Sequence, residues 1–201
     1  FLDTMAGYCH LDPMTFDAPR LSFSNAVAAP QRPHRVAFAA TIGGSPVDQE
    51  TENICRDSMR HFKNVGSKVE EITIDLEDLE DTFLALRSQE FVIDRELQLE
   101  RYRDQIKPDI IWNTELGLEQ SIPTLAKAER ARAALYTQFN DLFSQYDLIV
   151  TPGANTPAFD VELRYPKAID GIKLEHYMAA STLTAAVTIS ASPALSLPCF
   201  S

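Results

Sequence analysis

The chain has 201 residues, of which 45% are hydrophobic and 23% are charged, as in an ordinary globular protein of one domain or of one domain with a small appendage. Its net charge of −11 argues against nucleic acids and anionic membrane surfaces as partners, because both are negatively charged. No apolar run approaches the roughly 20 residues of a membrane span, so we expect no membrane-spanning helix in this sequence.

The first 34 residues predict an irregular connector. Residues 1–6 have the pattern of the end of a helix. Residues 8–34 then carry four prolines and no clear hydrophobic period, and each proline disfavours helix at the residue before it. We therefore assign 1–34 to a connector that precedes the main body of the chain.

Residues 35–75 predict a strand–helix–strand unit. The apolar run 35–40 indicates a buried strand, and 48–64 carries the partial apolar stripe of a helix. Gly66 suits the end of that helix. Residues 68–74 alternate charged and β-branched side chains, which indicates a second strand. A crossover of this kind joins parallel strands.

Residues 76–145 predict a helical region. A charged helix extends from 76 to 102, and a proline then breaks the chain. A short helix follows at 109–119, and a long helix extends from Ile122 to Phe143 with apolar residues at three- and four-residue spacing.

Residues 146–201 predict a return of the chain to the sheet. We expect a buried strand at 146–152, a loop at 153–172, a helix rich in small residues at 174–187 and a final strand at 194–197.

Few patterns in the sequence carry chemistry by themselves. Gly43-Gly44-Ser45 suggests a nucleophile, but it brings neither a base nor an oxyanion hole, so we interpret it as a turn. The four histidines form no HExxH or HxH array and the glycines form no phosphate-binding loop, so we expect no metal and no cofactor.

The three cysteines, Cys9, Cys55 and Cys199, are far apart, odd in number and outside any CxxC pattern. They argue against a disulfide scaffold and for a reducing compartment, so we expect a cytoplasmic protein in which each cysteine is a small packed thiol.

Four motifs, in order, resemble segments of the amidase signature family. They are Leu2-Asp3-Thr4-Met5-Ala6-Gly7, Gly43-Gly44-Ser45-Pro46-Val47-Asp48, Tyr146-Asp147-Leu148-Ile149-Val150-Thr151-Pro152 and Ser192-Pro193-Ala194-Leu195-Ser196-Leu197-Pro198. The resemblance covers the whole chain. Two departures stand out: Ala191 replaces the glycine that precedes the last motif, and Pro198-Cys199-Phe200 lacks the glycine that usually follows it.

The resemblance implies an α/β fold with a mixed central sheet flanked by helices. It also implies hydrolysis of a carboxamide by a Ser–cis-Ser–Lys triad, without metal or organic cofactor. In the family those catalytic residues precede the segment that resembles 2–7, and nothing in this chain matches them. We therefore expect residues 1–201 to be the C-terminal portion of one amidase-signature domain, without catalytic residues and inactive alone.

By position in the family, the loop residues Thr151, Pro152 and Asn155 are candidates to contact substrate, as are Tyr177 and Ser181 of the following helix. The structural alternative is a strand terminator for Thr151 and Pro152 and a packed aromatic for Tyr177. The expected partner of the intact parent is a small-molecule amide. The alternative function is a non-catalytic module that self-associates or binds a complementary chain, since half a sheet leaves strand edges exposed.

Overall fold

The computed structural model describes residues 1–199 and divides the chain into two compact units. Residues 200 and 201, which the sequence assigned to the return to the sheet, lie outside the described residues. None of the helices in the described part combines the length and the apolar character needed to cross a bilayer.

The first unit, Phe1–Pro33, contains two short helices, α1 (Leu2–Met5) and α2 (Phe23–Ala28). The carboxylate of Asp3 accepts hydrogen bonds from the Phe23 and Ser24 amides at 2.6 and 3.0 Å and from the Ser24 hydroxyl at 2.5 Å. These bonds, that of the Ser24 hydroxyl above all, lower the pKa of Asp3. The prediction that 8–34 is irregular throughout is wrong at α2, which lies in a proline-free stretch.

The second unit begins at His34 and contains the main sheet. In chain order its elements are β1 (Arg35–Phe38), α3 (Gln49–Ser58), α4 (Arg60–Asn64), β2 (Lys68–Glu71), α5 (Leu79–Tyr102), α6 (Pro108–Leu118), α7 (Ile122–Phe143), β3 (Leu148–Val150), β4 (Ala168–Ile169), β5 (Ile172–Lys173) and α8 (Thr182–Ile189). Short 3₁₀ turns lie at Arg103–Gln105 and Tyr177–Ser181.

The main sheet has the order β2-β1-β3, and both pairings are parallel. In register, Arg35 of β1 faces Lys68 of β2, and Val36 faces Leu148 of β3. The α/β class and the strand–helix–strand unit predicted from the sequence are confirmed. The prediction that β3 is buried is wrong at Leu148, which is 40% exposed, because β3 pairs only with β1 in the described sheet.

Helices cover both faces of this sheet, as parallel strands require. On one face, Phe38 packs with Cys55 and Met59 of the α3–α4 region. The other face carries the larger core, in which residues that follow β1 and β2 meet α5, α7 and α8. Its buried members are Ala39, Ile42, Ile74, Leu79, Phe83, Leu135, Phe139, Ala185, Ala186 and Ile189.

Two hydrogen bonds hold the start of β3 against the start of β1. The Asp147 carboxylate accepts one from the His34 amide at 2.6 Å and one from the Arg35 amide at 2.8 Å. The Asp147 amide returns a bond to the Arg35 carbonyl at 2.9 Å. The two bonds that the carboxylate accepts, first the one from Arg35 and then the one from His34, lower the pKa of Asp147. The ionised carboxylate is therefore the form that they stabilise.

Tyr146 and Arg35 meet Glu70 of β2 at the same end of the sheet. The Tyr146 hydroxyl donates to Glu70 at 2.6 Å, and the Arg35 guanidinium lies 2.9 Å from the same oxygen. Lys68 also pairs with Glu70, and it contributes most to holding the pKa of Glu70 at about 2. The Tyr-Asp pair of the third motif therefore connects all three strands.

The predicted single helix over 48–64 is interrupted at Met59. The Ser58 hydroxyl donates to the Cys55 carbonyl at 2.6 Å, which is the acceptor that the Met59 amide would use in a continuous helix. The Met59 amide bonds instead to the Arg56 carbonyl at 3.1 Å, which tightens the turn. The helices predicted at 76–102, 109–119 and 122–143 are confirmed to within a few residues.

Three predictions for the last third of the chain need correction. The loop predicted at 153–172 contains the β4–β5 hairpin, because Asp170-Gly171 adopts positive φ at both residues and forms a tight turn. The helix predicted at 174–187 begins only at the 3₁₀ turn, because His176 is extended.

The strand predicted at 194–197 is absent from the described structure. Leu195 and Leu197 are 82% and 64% exposed, and flanking Pro193 and Pro198 offer no amide hydrogen to a neighbouring strand.

Ala191 follows the C-cap of α8 and has φ +57°. This left-handed conformation costs a residue with a Cβ about 1–2 kcal/mol, which explains why glycine is preferred at this position. The departure from the family pattern at Ala191 therefore coincides with local backbone strain.

We predict that Ala191→Gly raises the free energy of unfolding by about 1 kcal/mol, because glycine adopts this conformation without strain. The matched control is Ala134→Gly, at an exposed position inside α7, which should lower it by about 1 kcal/mol. Urea unfolding of both variants measures the difference. A loss of stability in Ala191→Gly comparable to the control contradicts the prediction.

Candidate functional site

The loops that follow β1 and β3 meet at the carboxyl ends of these two strands. Asn155, only 1% exposed, connects them. Its side-chain amide nitrogen donates to the Pro46 carbonyl at 2.7 Å, and its backbone carbonyl accepts from the Asp48 amide at 2.8 Å. Asp48 also caps α3 by accepting from the Glu50 and Thr51 amides. The loop after β3 is thus fixed to the start of α3.

The loop after β1 turns sharply through two glycines. Gly43 has φ +56°, and its amide donates to the Ile74 carbonyl at 2.8 Å. A Cβ at Gly43 would come within 2.9 Å of the Leu76 carbonyl oxygen, so this position requires glycine. The Thr41 hydroxyl then closes the turn by donating to the Ser45 carbonyl at 2.6 Å. Gly43-Gly44-Ser45 forms the turn that the sequence predicts.

Three buried polar atoms in these two loops lack a hydrogen-bond partner: Ser45 Oγ, Thr151 Oγ1 and Asn155 Oδ1. Buried polar groups are paired in most native proteins, so three in two adjoining loops indicate a place that a water molecule or a ligand group can satisfy. The carboxyl ends of parallel strands are also where α/β sheets bind their ligands. The sequence identifies Thr151, Pro152 and Asn155 as candidates but not Ser45, for which the only signal is its position directly after the two glycines.

Tyr177 lies in a second polar cluster, on the 3₁₀ turn before α8. Its hydroxyl accepts a hydrogen bond at 2.7 Å from Asn113, which is 1% exposed. Its ring meets the edge of Trp112 at 5.9 Å, and the Arg164 guanidinium lies over it at 5.3 Å. These contacts account for Tyr177 as a packed aromatic.

Ser181 ends the same 3₁₀ turn and is half-buried, and its carbonyl accepts from the Thr184 hydroxyl at 2.9 Å. Within residues 1–199, no hydrogen bond joins Tyr177 or Ser181 to Thr151, Pro152 or Asn155. In the described residues, hydrogen bonds therefore do not link the five candidates into one network.

His176 is the group in the second cluster that the sequence does not single out. Its Nε2 lies 2.8 Å from a Glu80 oxygen, its ring is 5.4 Å from the Trp112 ring, and its buried Nδ1 has no partner. Only the fold brings Glu80 of α5 to it. In the part of the chain that the structure describes, histidine, cysteine and acidic side chains form no group of three or more suited to a metal ion.

The lysines with side-chain contacts are engaged with acids or an aromatic ring. Lys68, Lys127 and Lys173 pair with carboxylates, and Lys167 lies over the Tyr165 ring. The hydrogen bond to Asp78 raises the pKa of Lys127, which keeps its proton and cannot serve as a base at neutral pH. Among residues 1–199, no hydrogen bond joins a lysine to a serine hydroxyl.

Two open cavities lie among the helices. One of about 230 Å³ is lined by residues of α5, α6 and α7, and one of about 860 Å³ by residues of α5, α7 and the α8 region. Neither is lined by any of the five candidate residues. The candidate site is therefore indicated by the unpaired atoms and by their position at the sheet.

Comparison with known proteins places the whole chain within one family pattern. The family model described as Amidase matches residues 1–201. An acylamidase of Rhodococcus erythropolis is 21% identical over 199 residues, which is 98% of this chain and 42% of that protein. A glutamyl-tRNA(Gln) amidotransferase component of Shouchella clausii is 23% identical over 223 residues, which is 98% of this chain and 45% of that protein.

A solved structure shares the fold. A bacterial aryl acylamidase of the amidase signature enzymes superposes with a TM-score of 0.75 at 18% identity, over 92% of this chain and 40% of that one. The chain thus spans less than half the length of the relatives it matches.

We predict that Thr151→Val leaves the free energy of unfolding unchanged to within about 0.5 kcal/mol or raises it, because the hydroxyl that is lost makes no bond. The matched control is Thr114→Val. Thr114 is fully buried and donates to the Ile110 carbonyl at 2.8 Å, so its replacement should cost about 1 kcal/mol. Denaturant unfolding compares the two. An equal loss in both variants would show that Thr151 is hydrogen-bonded in solution.

Proposed function

The chain belongs to the amidase signature family, and from that premise we propose that it supplies the scaffold and part of the substrate pocket of an amidase. The observation that carries this proposal is the set of unpaired polar atoms at the carboxyl ends of β1 and β3. A carboxamide has one strong acceptor and, in primary and secondary amides, one or more N–H donors. The hydroxyls of Ser45 and Thr151 match the acceptor.

Thr151 is the residue through which these loops would meet a substrate. It is half-buried and follows β3 directly, whereas Asn155 is enclosed and holds the loop in place. We assign Thr151 to contact with the substrate and Asn155, with Pro152, to positioning of the loop. Because Tyr177 is engaged with Asn113, Trp112 and Arg164, and the Ser181 carbonyl with Thr184, we give them a packing role at the start of α8.

The amide-cleaving groups are proposed to belong to the rest of the amidase polypeptide, the portion of the relatives that this chain does not span. A serine nucleophile needs a base within hydrogen-bond reach, and a lysine base needs a depressed pKa. Ser45 Oγ has no partner, and Lys127 shows the opposite shift. In this arrangement residues 1–199 bind and orient the substrate but supply neither the nucleophile that attacks its carbonyl nor the base that deprotonates that nucleophile.

The exposed edge of β3 supports a second candidate, a non-catalytic module that associates with another chain. β3 has one neighbour in the described sheet, and Leu148 is 40% exposed on it. An edge strand with unpaired amides and carbonyls can pair with a strand from a second chain. The partner would be a second copy or a polypeptide that completes the amidase fold.

We predict that the purified 201-residue chain does not hydrolyse a small aryl amide or aryl ester above the rate in buffer, because no activated nucleophile is present among the described residues. Release of the aryl product, followed by absorbance, measures this. The control variant is Ser45→Ala, which removes the hydroxyl of the Gly-Gly-Ser turn.

Turnover in the unmodified chain that disappears in Ser45→Ala contradicts the proposal and identifies Ser45 as a nucleophile. Sedimentation of the same sample separates the two candidates. A concentration-dependent dimer supports the associating module, whereas a monomer at all concentrations argues against pairing through β3.

A further inference from the structure

Two cysteines that are far apart in the sequence meet beside α3. Cys55 lies on α3 and is buried, and Ser58 lies one turn later on the same face. The Cys199 thiol approaches this face and donates to the Ser58 hydroxyl at 3.7 Å. It lies near enough to Cys55 to contribute to the raised pKa of the Cys55 thiol. The third cysteine, Cys9, is exposed in the first unit.

The two thiols differ in their surroundings. On the α3 side, Ser58 is fixed because its hydroxyl donates to the Cys55 carbonyl at 2.6 Å, and Cys55 packs against Phe38 and Met59. Cys199 lies in the segment 192–199, which is mostly exposed and in which the described structure has no strand or helix. One thiol is thus rigid and enclosed, and the other is accessible to solvent.

We propose that Cys55 and Cys199 are a redox-active pair that forms an intrachain disulfide when the protein meets a small disulfide such as glutathione disulfide. The Cys199 thiolate attacks one sulfur of glutathione disulfide, and a mixed disulfide and one glutathione thiol result. The Cys55 sulfur then displaces the second glutathione. Two protein thiols are oxidised, one glutathione disulfide is reduced, and the two thiol protons end on the two glutathione molecules.

The order of the two steps follows from exposure and acidity. Burial, followed by the neighbouring Cys199 thiol, raises the pKa of Cys55 to about 11, so Cys55 keeps its proton at neutral pH. The thiolate is the attacking form, so the exposed Cys199 reacts first and Cys55 resolves the mixed disulfide. Closure of the mixed disulfide should therefore become faster as the pH rises toward the pKa of Cys55.

The disulfide would also fix the segment 192–199 beside the loop that follows β3. Ser196 Oγ lies 3.7 Å from the position that a Cβ on Gly153 would occupy, so the segment already passes this loop. Gly153 lies between Thr151 and Asn155 in the sequence. If Thr151 contacts the substrate, as proposed above, oxidation would restrict access to it. This consequence rests on the proposed function, whereas formation of the disulfide does not.

The test is peptide mapping of the full 201-residue chain after incubation with glutathione disulfide at mildly alkaline pH. We expect the peptide with Cys55 to be linked to the peptide with Cys199, whereas the exposed Cys9 carries either a free thiol or a glutathione. Cys9→Ser is the matched control and should form the same disulfide. Cys55→Ser should stop at the mixed glutathione disulfide on Cys199.

A control in denaturing urea shows whether the fold directs the pairing. In an unfolded chain the shorter loop between Cys9 and Cys55 closes about fivefold more readily than the loop between Cys55 and Cys199, by the dependence of closure entropy on loop length. We expect the Cys55–Cys199 product to dominate in buffer and to become a minor product in urea.

The same product distribution in both conditions would overturn the proposal. So would glutathione on Cys199 with Cys55 left free in the unmodified chain. Because no step of this test measures amide hydrolysis, its failure is distinguishable from failure of the proposed function.

Discussion

The hydrogen bonds from the His34 and Arg35 amides to the Asp147 carboxylate are the contact on which the candidate site depends. They join residues more than a hundred positions apart and set the register of β3 against β1. Because both strands then end at the same level, the loops that follow them meet, and Asn155 can bond across to Pro46 and Asp48. A shift of β3 by one residue would move the side chains of Ile149 and Val150 each to the other face of the sheet and would separate these loops.

Packing of helices on both faces of the sheet stabilises this register of β3 against β1. Val36, Ala37 and Phe38 of β1 are buried, with Phe38 in the core on the α3–α4 side, and Ala39, which follows the strand, lies in the larger core. The helical layer is itself tightly packed: a Cβ on Gly117 of α6 would lie 2.2 Å from the Ser88 carbonyl oxygen of α5. The helical layer therefore supports the sheet, whereas the polar groups of the candidate site lie in the loops at the carboxyl ends of β1 and β3.

The sequence predicts the elements well where a hydrophobic period is long, as in α5 and α7, and where glycines mark a turn, as at Gly43 and Gly44. It fails where tertiary contacts decide. The helix that the apolar stripe predicts to be continuous over 48–64 is divided at Met59, and the segment 194–197 stays unpaired although its composition is that of a strand. For the site, Thr151 and Asn155 are candidates from the sequence that stay predictions, whereas the unpaired state of the Ser45 hydroxyl and the bond of Tyr177 to Asn113 follow only from the three-dimensional arrangement.

The most direct test of this role of Asp147 is amide hydrogen exchange of the Asp147→Ala variant, followed by NMR, with the exposed Asp141→Ala as control. Three amides report on it: Ala39, bonded to the Val150 carbonyl; Asp48, bonded to the Asn155 carbonyl; and Ile72, bonded to the Phe38 carbonyl. We expect Ala39 and Asp48 to exchange several-fold faster in Asp147→Ala while Ile72 in the β1–β2 pairing keeps its protection, and we expect the control to change none of them. Unchanged protection of Ala39 and Asp48 in Asp147→Ala would show that this carboxylate does not hold the site together.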